Sequence, residues 1–463
     1  MRSKLCFATV CLVSAMVVQA QTPAPDFKRN RDDIVKMMQD LVRIDTSNPP
    51  GNETKAVNYI KAIFDREGIP SEVLSIDANR ANIVARIKGN GKKRPILIMG
   101  HTDVVGVEKD KWSVDPFAAV IKDGYIYGRG TYDDKDNLLA GIQVMLTLHR
   151  NKVALDRDVI FVAESGEEGT TSVGIELLVN KYWDKIDAEY ALLEGGDMLA
   201  DKNGKVVALE VSTTEKIPNT TTLVAKGTSG HGSIPRPDNP VVHLAAAVAK
   251  IGEFQAPMRL SDTTKAYFQR MATISSPEDA FIYTHLDDPA LGAMARERLR
   301  LTDFTKFSML HTSISPTMIN GGFRSNVIPG DATATLDIRS LQDEDMGEFY
   351  ATLRRVINDP LVDVMPPAAP SRPKGAPARL DNDMFQAIER AGKKVLPQAV
   401  TIPMMVNGAT DGAYLRAKGI QAYGVGSINE GRLHGNDERI QIDNMLDFVT
   451  FVYEIVVDVA RAR

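Results

Sequence analysis

The sequence predicts an α/β protein: a three-layer α/β/α domain interrupted by a smaller inserted α+β domain. Three observations carry this expectation. Strands that are apolar almost throughout alternate with segments of helical period between residues 30 and 196. The pattern turns to alternating, more polar strands from about Lys216, and a Pro-rich run at 365–377, "MPPAAPSRPKGAP", precedes a return to the first style. A continuously apolar strand belongs in a sheet covered on both faces. At 463 residues the chain exceeds what one core usually organises, and 43% apolar residues suffice for two.

Residues 30–44, "NRDDIVKMMQDLVRI", and 53–68, "ETKAVNYIKAIFDREG", place apolar side chains every three to four residues, as amphipathic helices do, with Gly68 as a stop. Extended segments follow at "NIVARI", "PILIMG", "DVIFVAES" and "YALLEGG", with the nearly all-apolar helix "NLLAGIQVMLTLHR" between the second and third. The inserted region reads as a strand "NTTTLVAKG", a helix "NPVVHLAAAVAKIGEF", a polar stretch to about Thr305, strands in "TMINGGFRSNVIPGDATATLDIRS" and a helix near "EDMGEFYATLRRVI". After the Pro-rich boundary, "NDMFQAIERAG", "IQAYGVG" and "NMLDFVTFVYEIVVDVA" complete the first domain. The divisions are 1–20 as a signal peptide, 21–214 and 371–463 as the two parts of the catalytic domain, and 215–370 as the insertion.

The first twenty residues have a basic start (Arg2, Lys4), an apolar stretch from Leu5 to Val18 and a small-residue end, the layout of a cleaved signal peptide. Export to the periplasm or secretion is the expectation, with no membrane attachment after cleavage, because the apolar stretch falls short of the ~20 residues a spanning helix needs. Both cysteines, Cys6 and Cys11, lie in that segment, so the mature chain would hold a metal only through His, Asp and Glu. Losing Arg2 and Lys4 takes the formal charge from −5 to −7. An acidic chain without a basic stripe is a poor partner for nucleic acid.

The chemistry gathers where apolar strands end. "ILIMGHTDVV" stops at His101 and Asp103, which share a face two residues apart, an arrangement in which a carboxylate can orient a metal-binding imidazole. "DVIFVA" runs into Glu167 and Glu168, and "ALLEGG" ends in Glu194. "GRGTYDDKDN" supplies Asp133 and Asp134, and "GRLHGNDERI" supplies His434. Each motif alone reads as a capped strand or a solvated turn. Their repetition argues for one cationic site, because adjacent buried carboxylates repel unless a cation or a shared proton joins them. Imidazoles and carboxylates without thiols suit Zn²⁺, with Mn²⁺ or Co²⁺ as substitutes.

In this order, "GHTDVV", "GRGTYDDKD", "SGEEG", "LLEGG", "GTSGHGSIP", "RSNVIPGDATATLDIR" and "HGNDERI" resemble the dizinc metallopeptidase family of aminoacylase, glutamate carboxypeptidase, succinyl-diaminopimelate desuccinylase and carboxypeptidase S. The resemblance covers essentially the whole mature chain. It implies two Zn²⁺ per subunit, one held by His101, Asp133 and Glu194 and the other by His434, Glu168 and the bridging Asp133. Asp103 would orient His101, and Glu167 would be the general base. The choice between Asp133 and Asp134 comes from the family pattern, which puts the ligand first and joins the pair through a cis peptide.

The same resemblance implies a ferredoxin-like insertion that makes a homodimer and carries His231 to a neighbouring subunit's site as an oxyanion donor. It places Asn326, Arg339 and Gly408 beside the substrate, with Arg339 as the reader of a free carboxylate, and Thr410 and Asp411 as shapers of the pocket. Arg129 and Lys135 flank the bridging acid as supports. His149, His243, His285 and His311 read as capping or packing residues. Where relatives show D-x-K-G-G, this chain has Asp133-Asp134-Lys135-Asp136-Asn137, and Asp136 is expected to cap the helix that follows. An extra stretch of about fifty residues near 254–305 resembles the carboxypeptidase S branch.

The function so implied is a metal-dependent amidohydrolase of carboxypeptidase or dipeptidase type, releasing an amino acid from a small peptide. An N-acyl-amino-acid hydrolase shares every catalytic residue. A silent relative that only binds metal or peptide would have no need of Glu167.

Overall fold

The structure, a computed structural model, describes residues 25–462; the segment expected to be a signal peptide, with Cys6 and Cys11, lies outside the described residues. Among these residues, nine strands form one sheet. At its centre Gln421–Gly424, Tyr190–Leu193, Ile96–His101 and Val159–Glu164 run parallel as neighbours, so their carboxyl ends open on the same side. Ala81–Ile87 and Ser71–Ser75 add antiparallel strands on one flank, and Asp197–Ala200, Val206–Glu215 and Val400–Val406 extend the other.

Period-two alternation divides the apolar residues of each central strand between two cores. Ile96, Ile98 and Phe161 face the helices Arg31–Val42, Thr54–Glu67, Lys135–Arg150, Asp383–Val395 and Ile442–Ala460. Leu97, Met99, Ile160 and Val162 face the shorter helices Ile175–Lys181, Trp183–Ile186 and Gly412–Ala417. This is the expected three-layer arrangement, and the two-faced burial explains why the strands are apolar throughout. No helix among the described residues is long and apolar enough to cross a membrane.

The insertion forms a separate antiparallel sheet in which Asp331–Ser340 lies between Ser313–Gly321 and Thr221–Lys226, and Val362–Met365 lies beyond Thr221–Lys226. With the helices Pro240–Glu253 and Met346–Ile357 between strands, the order is that of a ferredoxin-like βαββαβ unit. Leu223, Leu336, Ile338, Leu244 and Leu353 make its own core. Ser313–Gly321 is the sheet edge, exposing Met318 and Ile319, and the adjacent helix exposes Val242.

The extra stretch does not pack on this small sheet. Its helices Asp262–Ala272, Pro277–Thr284 and Gly292–Thr302 bury Phe268, Met271, Ile282, Leu286 and Leu299 in a cluster with Ala208 and Ile402 of the large sheet. Their periodicity announces an apolar face, and only the fold decides which surface that face meets.

Candidate metal centre and active site

His101, Asp133, Glu167, Glu168, Glu194 and His434 converge beyond the carboxyl ends of the parallel strands. Asp133 is central. Its Oδ1 lies 2.9 Å from His101 Nε2 and its Oδ2 lies 2.9 Å from His434 Nε2. Glu194 Oε2 stands 4.0 Å from His101 Nε2, and Glu168 Oε1 stands 3.2 Å from His434 Nε2. Two ligand groups result, His101–Asp133–Glu194 and Asp133–Glu168–His434, each with its donor atoms within 4.8 Å of one another.

Local structure fixes Asp133 firmly. The Asp133–Asp134 peptide is cis. Glu438, a residue the sequence reading left unassigned, accepts the backbone N–H groups of Gly130, Tyr132 and Asp133 at 3.1, 2.9 and 3.3 Å. It is paired with Arg129 at 2.5 Å, and the other end of that guanidinium donates to the carbonyls of His434 and Gly435. One buried ion pair therefore ties the Asp133 loop to the His434 loop. His434 needs that hold, because its φ of 57° lies in the left-handed region that side chains other than glycine seldom adopt. Asp134 faces away from the ligand groups, accepting from His101 N–H at 3.1 Å and from Asn137 Nδ2 at 2.6 Å. Gly100 makes room for it: a Cβ there would stand 2.8 Å from Asp134 Oδ2. Lys135 reaches away to the carbonyl of Ile44. Asp136 accepts the N–H of Asn137, but its other oxygen binds Ser427 at 2.6 Å, so it joins the helix start to the loop after Gln421–Gly424 rather than capping the helix alone.

Asp103 stands beside His101 and also does work that its place in the sequence did not announce. The atom nearest His101 Nδ1 is the Asp103 backbone carbonyl at 2.9 Å, while the carboxylate stands at 3.5 Å. The carboxylate accepts the consecutive N–H groups of Gly166, Glu167 and Glu168 at 2.8, 3.2 and 3.1 Å, and a fourth bond from Asn48. One buried anion thus shapes the turn that aims both glutamates.

The electrostatics suit divalent cations. Burial, and then Glu167, push Glu194 well above the usual carboxylate range, and burial does the same to Asp134. Burial and Asp411 lift Glu167 to about 8. Bonds to Asp133 and Glu168 raise His434 to about 10. Burial opposes charge on His101, yet Asp103 and Asp133 more than offset it and hold its pKa well above normal. Asp133 goes the other way: against its burial, the two imidazoles hold it below the usual range. So many buried carboxylates are stable together only with added protons or cations. Glu168 Oε1 is buried and faces the His434 imidazole 3.2 Å away, a pair of donor atoms that one cation would satisfy together. The donor set of imidazole nitrogens and carboxylate oxygens fits Zn²⁺ or a similar ion.

The groups line a cavity of about 920 Å³ whose wall includes Glu167, Glu168, Glu194, Asp133 and His434. Gly408 and Arg339 line it too. Arg339, however, is already held by Asp337 through two bonds of 2.7 and 3.2 Å. Thr410 is bound to Glu215, which also pairs with Arg416. Tyr267 and Thr305 from the extra stretch, with Met309 just beyond it and Met404 and Met405 of the large sheet, form a methionine-rich side. Within one chain the structure does not bring His231 or Asn326 to the site. Both are exposed on the small domain, neighbours across a bond from Gly232 N–H to the Asn326 carbonyl, and His231 Nδ1 contacts Ser233. The four other histidines stay outside: His243 pairs with Asp359, His285 and His311 each bond to a carbonyl of the helix just before them, and His149 lies in the last turn of its helix.

Comparison with known proteins assigns the family. Residues 97–458 match the model of peptidase family M20/M25/M40. The chain is 26% identical over 437 residues to a probable succinyl-diaminopimelate desuccinylase of Staphylococcus aureus (strain N315), covering 93% of this chain and 98% of the relative. It is 28% identical over 378 residues to the probable carboxypeptidase S-like 2 of Dictyostelium discoideum, covering 78% and 71%. The crystal structure of the M20 family metallo-carboxypeptidase Sso-CP2 from Sulfolobus solfataricus superposes with a TM-score of 0.67 at 19% identity, over 92% of this chain and 98% of that one. The paired ligand groups around Asp133 and a match over most of its length make this chain a member of peptidase family M20/M25/M40, metallohydrolases that act on amide bonds.

Proposed function

We propose that the protein is an exported dizinc hydrolase that releases an amino acid from a small peptide, as a carboxypeptidase or dipeptidase does. The observation that carries this reading is the division of Asp133, one oxygen to each imidazole, beside a third carboxylate, Glu167, on the same cavity wall. His101, Asp133 and Glu194 would hold one ion, and Asp133, Glu168 and His434 the other. Two such ions supply acidification of a water and polarisation of an amide carbonyl.

The chain's own residues do the rest. Glu167, whose burial makes it a stronger base than an ordinary carboxylate, takes a proton from the attacking water and returns it to the leaving nitrogen. Asp103 fixes the backbone that presents it. Arg339 reads the carboxylate of the amino-acid product after exchanging Asp337 for it. His231 and Asn326, exposed in one chain, complete the site of a second copy, His231 as donor to the developing oxyanion. The open edge Ser313–Gly321 and the apolar Val242, Met318 and Ile319 favour the small domain as the surface of that homodimer.

Hydrolysis of N-acyl amino acids is the second reading, favoured by the apolar side of the cavity at Tyr267, Met309, Met404 and Met405. Turnover of a mixed panel of dipeptides and N-acyl amino acids, with elemental analysis of the purified protein, decides between them. Release of free amino acids from dipeptides by zinc-loaded protein supports the first. Turnover of acylated substrates alone replaces it with the second.

A further inference from the structure

The Pro-rich run between Val362–Met365 and Asp383–Val395 reads as a linker, yet it carries a partly buried cation into the active-site cavity. Arg372 lines that cavity. Its Nη2 donates to Glu167 Oε1 at 3.0 Å and more weakly to the Glu167 carbonyl at 3.4 Å. Buried Asp411 lies 3.7 Å from the same nitrogen. The guanidinium carbon sits 5.6 Å from the centre of the Tyr414 ring, and the Tyr414 hydroxyl, which donates to Glu176 at 2.8 Å, lies 3.4 Å from the carbonyl of Ser371, seating the strap against the large domain. A long side chain is thus held on three sides with its charge directed at one carboxylate oxygen.

We propose that Arg372 is a positioning residue for the reaction: it grips Glu167 Oε1, leaving Oε2 as the oxygen that carries the proton. A carboxylate free to rotate presents either oxygen in several orientations, and proton transfer requires one of them within hydrogen-bond reach. Arg372, with its planar guanidinium fixed between Glu167, Asp411 and Tyr414, removes that freedom. The strap joins the two domains, so the grip also links the base to the segment through which the small domain is attached. A reader of substrate carboxylate is the competing role for a cavity-lining guanidinium, and the two roles separate kinetically.

The inference rests on Glu167 as the base. Arg372→Ala, Arg372→Lys and Glu167→Ala are compared in the metal-loaded full chain on the best substrate of the dipeptide and N-acyl panel. Arg372→Ala lowers kcat by about 10²-fold, the scale of a displaced catalytic group. Its KM stays within about threefold, since binding shared by ground and transition states is kept. Metal content, and affinity for the product amino acid by calorimetry, are unchanged. Arg372→Lys recovers part of kcat, and added guanidinium ion raises the turnover of Arg372→Ala but not of Glu167→Ala. A raised KM with kcat kept overturns the proposal in favour of substrate reading, and wild-type kinetics in Arg372→Ala overturns it outright. Should Arg372→Ala fail to fold, Arg372→Gln takes its place, and an unaltered kcat there is equally fatal. Full activity in Glu167→Ala sinks the base assignment itself, a result distinct from either.

Discussion

The two domains contribute to the site on different terms. The large domain brings His101, Asp133, Glu168, Glu194 and His434 together within one chain, each at the end of a parallel strand or on a loop clamped by Arg129 and Glu438. The small domain offers His231 and Asn326 to solvent and keeps Arg339 paired with Asp337. Strand ends of a covered parallel sheet are rigid and shared, so a metal centre can be built there from local geometry. Groups on an exposed sheet unit depend on what that unit meets. The large domain therefore encodes a centre, while the role proposed for the small domain is a contact.

Experiments can break that division. The largest expected effect is at the base: Glu167→Ala retains both ions by elemental analysis while turnover falls about 10²–10⁴-fold, the range of general-base catalysis. Undiminished hydrolysis would assign the base elsewhere. Removal of metal by a chelator abolishes activity and Zn²⁺ restores it; activity persisting in protein verified as metal-free contradicts the centre.

The next effect tests the contact. His231→Ala loses about 10²–10³-fold in kcat, the usual cost of one oxyanion donor. Mixed with Glu167→Ala under subunit exchange, it regains activity, because one of the two shared sites becomes whole. No recovery after confirmed exchange places His231 outside catalysis. Replacing Met318 and Ile319 by aspartate gives a monomer by sedimentation with a normal melting profile, and an unaltered oligomer would move the interface away from that edge.

The smallest effect is on stability. Burial, and then Arg339, depress Lys216 from 10.5 to about 7. Between those values the unfolded chain binds a proton that the folded one does not, so stability from this group rises with pH from about 7 to 10.5. Denaturant titrations across that range show a shallower rise in Lys216→Met than in the wild type, and identical slopes would mean that Lys216 is charged when folded.

The ligands were legible because an apolar strand that ends in His or Glu violates the pattern that made it a strand. Glu167 and Glu168 gained meaning only from that repetition, since two adjacent acids in a turn are otherwise ordinary. Glu438 stood inside a quoted motif, yet nothing in its type separates an acid that accepts three amides from one on the surface. The carboxylate of Asp103 was seen, but its work on the Gly166–Glu168 turn depends on a neighbour sixty residues away. Arg372 was hidden by its setting, because proline-rich composition signals a spacer and says nothing about what one arginine reaches. For the helices between Asp262 and Thr302, periodicity showed an apolar face and left its destination to tertiary packing.

That destination has a mechanical corollary. Because those helices are bolted to the large sheet through Ala208 and Ile402, Tyr267 and Met309 belong to the stationary jaw of the cleft, whatever the small domain does. Rotation of the small sheet would carry Arg339 with it and leave the methionine-rich wall in place, so substrate size would be gauged by the fixed side and its charge by the travelling one.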